Sequence, residues 1–259
     1  MAKAVYNEQH IEKIREAGKV VAECLDLARR MLAPGATTRQ VEQAIAEHIR
    51  KRGGTSPFFG YQLAGKRPFP CAICASVNDV VVHGISDDRP LQDGDLVSID
   101  CGVRKDGFIA DAAWSYAIGR ADEKALALLR AGEDALNAGI AAARPRGKVG
   151  EISRAIERLI KERGYSVVRE YVGHGVGRSL HEEPEVPNFL KAGALLPFFG
   201  TTLVPGTVIC IEPMVNEGRK QVVSVAGEWP VRTADGGRSV HFEHTVAVRN
   251  ERIEVLTKA

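Results

Sequence analysis

The sequence predicts an α+β protein of two related halves, with antiparallel strands covered by helices, and three observations carry that prediction. The first is the stretch 97–111, V-S-I-D-C-G-V-R-K-D-G-F-I-A-D, which reads as two strands joined at Asp106-Gly107, a strong hairpin signal. The second is a set of helical apolar repeats on either side of it. The third is an internal echo: 34–53 aligns without gaps on 145–164, with Ala44/Ala155, Ile45/Ile156, Ile49/Ile160 and Arg52/Arg163 identical. The echo continues into V-S-I-D at 97–100 and I-C-I-E at 209–212, which makes Asp100 and Glu212 counterparts. A duplicated helix-helix-strand unit places a site at the pseudo-twofold interface, a common location for ligands. Residues 119–122 offer no long linker, so one domain over 1–259 is expected, with halves of about 1–118 and 119–259.

Taken in order, Ile11, Ile14, Ala17, Val20, Val21, Cys24, Leu25 and Leu27 recur at helical spacing between about 7 and 32, and Ala33-Pro34-Gly35 ends that helix. Thr37 or Thr38 caps a second helix with Val41, Ala44, Ile45 and Ile49 inward, ending near Arg52-Gly53-Gly54. Residues 55–70, rich in Gly, Pro and Phe, have no period and read as a loop, either a lid or a pocket wall. Strands follow at about 72–77, 96–103 and 108–118, then a helix from about 122 to 142. With a two-residue hairpin loop framed by Lys105 and Phe108, Gly102 pairs with Asp111 and Asp100 shares its face. With a four-residue loop, 104–107, Asp100 stands opposite Asp111. Either even-length loop points both carboxylates the same way, because strand side chains alternate with period two.

The totals describe an ordinary globular chain, 44% hydrophobic and 26% charged over 259 residues, large enough to bury a site. A net charge of +2 gives no reason to propose nucleic acid as a partner. Five cysteines (24, 71, 74, 101, 210) do not suggest a disulfide framework and fit a reducing cytosol. The start, M-A-K-A-V-Y-N-E-Q-H, lacks a signal-peptide core, and no run approaches the roughly 18 apolar residues of a membrane span. A cytoplasmic protein is expected.

Chemistry concentrates in a few segments. V-H-G at 82–84 carries His83; Y-V-G-H-G-V-G-R-S-L-H-E-E-P at 171–184 carries His174 among glycines and His181 seven residues later. V-I-C-I-E-P-M-V at 208–215 embeds Glu212 in an apolar strand, and S-V-H-F-E-H-T-V at 239–246 does the same for Glu243. One buried acid is met by a salt bridge, but four with glycine-flanked histidines call for a shared cation, since each uncompensated buried charge costs several kcal/mol. Oxygen ligands with one imidazole suit cobalt, manganese, iron or zinc, and four carboxylates balance two dications, as in two-metal hydrolytic sites. Cys71-x-x-Cys74 has no second cysteine pair to make a zinc site, and Cys74 reads better as a pocket wall.

In this order, V-H-G, I-D-C-G, A-D-A-A, G-H-G-V-G, L-H-E-E-P, I-E-P-M-V and F-E-H-T closely resemble type I methionine aminopeptidase, a metallopeptidase of the pita-bread fold, over nearly the whole chain. The resemblance implies two divalent metal ions held by Asp100, Asp111, His174, Glu212 and Glu243, with Asp111 and Glu243 bridging. It implies that His83 and His181 face the substrate, that Glu212 shuttles a proton, and that Tyr61, Cys74, Leu180 and Trp229 form a pocket for the methionine side chain. The implied reaction is removal of the first methionine from nascent proteins and peptides, before a small second residue, by a metal-activated water. Proximity to the ribosome, no membrane, no specific nucleic acid and a monomeric state complete the expectation.

The chain departs from the family pattern in a longer 62–70, an extended 194–202, and His241 where members commonly carry glutamine. On a continuous strand His241 shares the face of Glu243, which suits a ligand or a supporting role. Two other readings follow from relatives with the same fold: a proline-specific aminopeptidase or prolidase, and a non-catalytic binding protein. The first usually carries an extra N-terminal domain, and the second typically loses metal ligands that are all present here.

Overall fold

The computed structural model describes residues 4–190 and 200–258. Its first element, α1 (Glu8–Met31), starts at Asn7, whose side chain accepts from the His10 amide, and turns Ile11, Ile14, Val20, Val21 and Cys24 inward. Helix α2 (Thr38–Lys51) starts at a capping box in which Thr37 and Gln40 satisfy each other's backbone amides. After the irregular 55–70 come β1 (Cys74–Val77), β2 (Val80–Val82), β3 (Leu96–Lys105) and β4 (Phe108–Ala117). The hairpin takes its two-residue form: Lys105 faces Phe108 and Gly102 faces Asp111, with both turn residues at positive φ as a type I′ connection requires.

The second half repeats the plan. Helix α3 (Glu123–Ala142) is capped by Asp122, and α4 (Val149–Glu162) has the same length as α2, 14 residues, displaced by 111. Even the short bridges before the two helices correspond, Thr37 with Pro90 and Lys148 with Thr202. Then follow β5 (Ser166–Val167), β6 (Gly173–Gly175), β7 (Glu182–Val186), β8 (Val208–Ile211), β9 (Met214–Asn216), β10 (Val222–Ser224), β11 (Val231–Thr233), β12 (Ser239–His241), β13 (His244–Val248) and β14 (Ile253–Val255). They form sheets ordered β1-β3-β4, β10-β11-β2, β12-β9-β5 and β14-β13-β8-β6-β7, every pairing antiparallel.

Each helix pair covers its own core. Ile11, Ile14, Val41 and Ile45 pack with Ile99 and Ile109 in one; Leu128, Ile152 and Ile156 pack with Ile209, Ile211 and Val246 in the other. Trp114 touches both cores and meets Phe242 edge-on at 5.0 Å. Where the halves join, Ala113 and Glu243 exchange backbone hydrogen bonds. On one side of that pair Thr245 Oγ1 accepts from the Asp111 amide and donates to the Asp111 carbonyl. On the other, Ser115 Oγ does the same for His241. Residues 111, 113 and 115 thus answer 241, 243 and 245 across a local twofold at a constant separation of 130. The result is the pita-bread α+β fold, two pseudo-twofold-related halves with antiparallel sheets inside and helices outside.

Two sequence expectations need correction. Glu212 and Glu243 do not lie within strands: Glu212 falls in the gap between β8 and β9, and Glu243 in the gap between β12 and β13. Pro213 has no amide to donate to a ladder, and at Glu243 the backbone leaves its own sheet to pair with Ala113. Short strands were also missed, β2 and β10 among them, because three-residue runs carry no resolvable period. Part of the extended 194–202 lies outside the described residues.

Candidate active site

A cavity of about 460 Å³ opens between the halves. All eleven residues expected at the site line it: Tyr61, Cys74, His83, Asp100, Asp111, His174, Leu180, His181, Glu212, Trp229 and Glu243. His241 lines it too. Asp100 and Asp111 come from the two hairpin strands, with Cys74 directly across from Asp100 on β1. His174 comes from β6, whose flanking glycines are required by close approach: a Cβ on Gly173 would sit 2.4 Å from the Cys210 carbonyl, and one on Gly175 2.4 Å from that of Glu183. Asn188 Nδ2 donates to the Glu212 carbonyl at 3.0 Å, meeting the acceptor that the strand gap leaves out of the ladder.

On the cavity floor the charges are crowded. Asp100, Asp111 and Glu243 present ligand atoms within 4.8 Å of one another, and Glu212, His241 and Glu243 form a second such group. His174 Nε2 lies 3.4 Å from Glu212 Oε1, and His241 Nε2 3.5 Å from Glu212 Oε2. Burial and the other acids push the carboxyls of Asp100, Glu212 and Glu243 well above the ordinary range. Burial raises that of Asp111 to about 7. Burial also drives the imidazoles down, to about 3 for His174 and His241 and about 4 for His83. Neutral imidazoles cannot compensate the acids.

A divalent cation pair fits this donor set. Oδ1 of Asp100, Oδ1 of Asp111, Oε1 of Glu243 and Nε2 of His241 are all buried with no hydrogen-bond partner, which native interiors rarely tolerate without an ion or water. His174 is set up as a ligand by its neighbour: Nδ1 contacts the Gly175 carbonyl at 3.0 Å. A carbonyl only accepts, so Nδ1 carries the proton and Nε2 turns a free lone pair toward the floor, where only a cation can take it beside the carboxylate oxygens.

Above the floor the wall is aromatic. Tyr61 Oη lies 2.9 Å from His181 Nδ1, and the His181 ring stacks edge-on to His174 at 4.5 Å. His83 holds φ at 59°, a left-handed conformation uncommon outside glycine and often stored at functional positions. Tyr171 and Trp229 hold its ring edge-on at 5.4 and 6.0 Å. Trp229 is anchored in turn by donating Nε1–H to the Arg67 carbonyl at 2.8 Å. Phe58 and Phe69 of the 55–70 loop also line the cavity, as does Tyr171, none of which the sequence singles out. An aromatic in a loop does not by itself tell a pocket from ordinary core.

Among the described residues no helix is long and apolar enough to cross a membrane. The model of metallopeptidase family M24 matches residues 12–250. The chain is 43% identical to the methionine aminopeptidase of Clostridium perfringens, covering 97% of both chains, and 40% identical to methionine aminopeptidase 1 of Bacillus subtilis, covering 95% of both. The methionine aminopeptidase structure from Thermotoga maritima superposes with a TM-score of 0.93 at 37% identity, with both chains covered completely. Prolidase from Pyrococcus furiosus shares the fold at a TM-score of 0.75, but at 21% identity and with only 66% of its own chain covered. From the family match and the near-complete alignment with these aminopeptidases, this chain belongs to metallopeptidase family M24.

Proposed function

We propose that this hydrolase is a single catalytic domain that removes the amino-terminal methionine from nascent proteins and peptides when the second residue is small. The observation that carries the reading is a cavity whose floor gathers buried acids with unpartnered oxygens and whose wall is aromatic. Asp100, Asp111, His174, Glu212 and Glu243 would hold two ions of cobalt, manganese, iron or zinc. Such ions supply Lewis acidity and lower the pKa of a bound water.

The chain's own groups do the rest. Tyr61, Cys74, Leu180 and Trp229 bind the methionine side chain, a thioether that gains from aromatic contact. Burial raises the Tyr61 hydroxyl above its ordinary range, so it stays protonated and donates to His181 Nδ1. That leaves the proton of neutral His181 on Nε2, a donor for the scissile carbonyl oxygen. His83, whose ring meets Trp229 in the same cavity, assists. Glu212 accepts the proton of the attacking water and passes it to the leaving amine. A free amino terminus, as the neutral amine, would be held at this centre by its lone pair, which restricts cleavage to the first bond. A monomer working in the cytoplasm near the ribosome fits five free cysteines and a cavity complete within one chain. The proline-specific reading has against it the 43% identity to a methionine aminopeptidase, compared with 21% to the prolidase.

Met-Ala-, Met-Lys-, Met-Leu- and Ala-Pro- peptides of equal length, assayed with manganese, cobalt and iron, test this proposal. A bulky second side chain pressed on the wall displaces the carbonyl, and about 1 Å of misplacement costs roughly 10²-fold. The expected kcat/KM for Met-Ala- therefore exceeds that for Met-Leu- by about that factor. Equal values defeat the size preference, and preferential cleavage of Ala-Pro- defeats the assignment to methionine.

A further inference from the structure

We infer that His241 is itself a metal ligand of this centre, adding a second imidazole beside Glu212 and leaving Asp100 and Asp111 as the all-carboxylate side. The inference rests on the metal centre proposed above. His241 is 2% exposed and its Nε2 has no hydrogen-bond partner. That atom lies 3.5 Å from Glu212 Oε2 and 3.8 Å from Glu243 Oε2, too long for N–H···O bonds of 2.7–3.2 Å but suited to atoms that converge on a common ion. His174 Nε2 approaches the other oxygen of Glu212 at 3.4 Å, so the two imidazoles flank one carboxylate.

Symmetry and anchoring support the assignment. Across the local twofold His241 occupies the position of Asp111, as Glu212 occupies that of Asp100. Ser115 Oγ clamps both backbone groups of His241, each at 2.9 Å, and is itself held by Ser98 Oγ at 2.7 Å. Ser98 and Ser115 stand opposite each other on β3 and β4, the strands that carry Asp100 and Asp111. His241 is therefore fixed to the same hairpin as two of the acids. A buried nitrogen with neither ion nor partner is destabilising, and nothing in a purely packing role offsets that. A second imidazole makes this side of the centre favour cobalt, iron or zinc over manganese.

Cobalt(II) loading of wild type and of His241→Gln, followed by calorimetry and by proton NMR of hyperfine-shifted imidazole signals, decides the matter. Wild type should take up two ions and show two imidazole sets, and His241→Gln only one. One of the two cobalt affinities should fall by about 10–100-fold in the variant, with a smaller loss for manganese. His241→Asp, which copies the counterpart Asp111, should recover binding with the preference moved toward manganese. A single imidazole set in wild type overturns the inference without recourse to any variant, as does unchanged cobalt affinity in a natively folded His241→Gln. Wild type that binds no cobalt overturns the metal centre as well, which separates the two failures.

Discussion

His181 illustrates how one residue acquires a role from its neighbours. Its Nδ1 is engaged by the Tyr61 hydroxyl at 2.9 Å, and its ring is confined against His174. Burial pushes its pKa below the ordinary imidazole value, which keeps the ring neutral as the proposed donor role requires. His181→Ala should lower kcat by about 10²–10⁴-fold, the range for a lost acid-base or oxyanion partner, while metal content, read by atomic absorption, stays unchanged. Loss of metal in that variant would place His181 among the ligands instead. At this scale the sequence was informative: acids and histidines in apolar or glycine-rich surroundings are chemically out of place, and that mismatch is visible without coordinates. The left-handed His83 backbone, the Ser115 clamp on His241 and the Asn188 bond to Glu212 were not visible. Each depends on residues more than 20 positions apart or on a dihedral that no residue type announces.

Elements were legible where they are long. α1, α2 and α3 were placed within a residue or two of their observed ends, since caps such as Thr37 and Asp122 are local chemistry. The Asp106-Gly107 turn likewise fixed the hairpin register to one of two choices. Strands of two or three residues, and the gaps that expose Glu212 and Glu243, are decided by pairing between distant segments and were not readable. Packing between elements makes its own prediction at Gly132 in α3. A Cβ there would lie 2.6 Å from the Phe242 ring and 2.8 Å from Val240, and Phe242 is held on another side by Trp114. Alanine raises helix propensity by about 1 kcal/mol, whereas overpacking a fixed ring costs about 1–3 kcal/mol, and the ring that must move precedes Glu243. Gly132→Ala should therefore be destabilised on balance, with Tm lowered by roughly 2–4 °C for each kcal/mol lost. An unchanged or raised Tm would show that this interface yields.

For the whole molecule, the centre makes stability depend on pH and on metal together. Two sets of groups act in opposite directions. Asp100, Asp111, Glu212 and Glu243 have folded pKa values raised by burial, Asp111 to about 7, so the metal-free fold keeps protons that the unfolded chain releases near pH 4. Their contribution is intact below that value and is lost as pH rises through the folded pKa values. His83, His174, His241 and His244 are depressed to about 3–4 by burial, and His181 is also lowered. Between pH 4 and 6.5 the unfolded chain binds protons at these imidazoles that the fold does not, which makes stability rise with pH and masks the acids. Above about 7.5 the imidazoles are neutral in both states, and only the carboxyls remain. Stability of the metal-free protein must then fall as pH rises, because the native state binds more protons. Divalent ions replace those protons as the compensating charge and remove the cost. The Tm of chelator-treated protein should fall from about pH 7.5 to 8.5 while that of cobalt- or manganese-loaded protein holds, so that the gap between them widens. A metal-free Tm that is flat or rising across that interval would mean that the four acids are not crowded on one floor, and the two-ion reading would lose its physical basis.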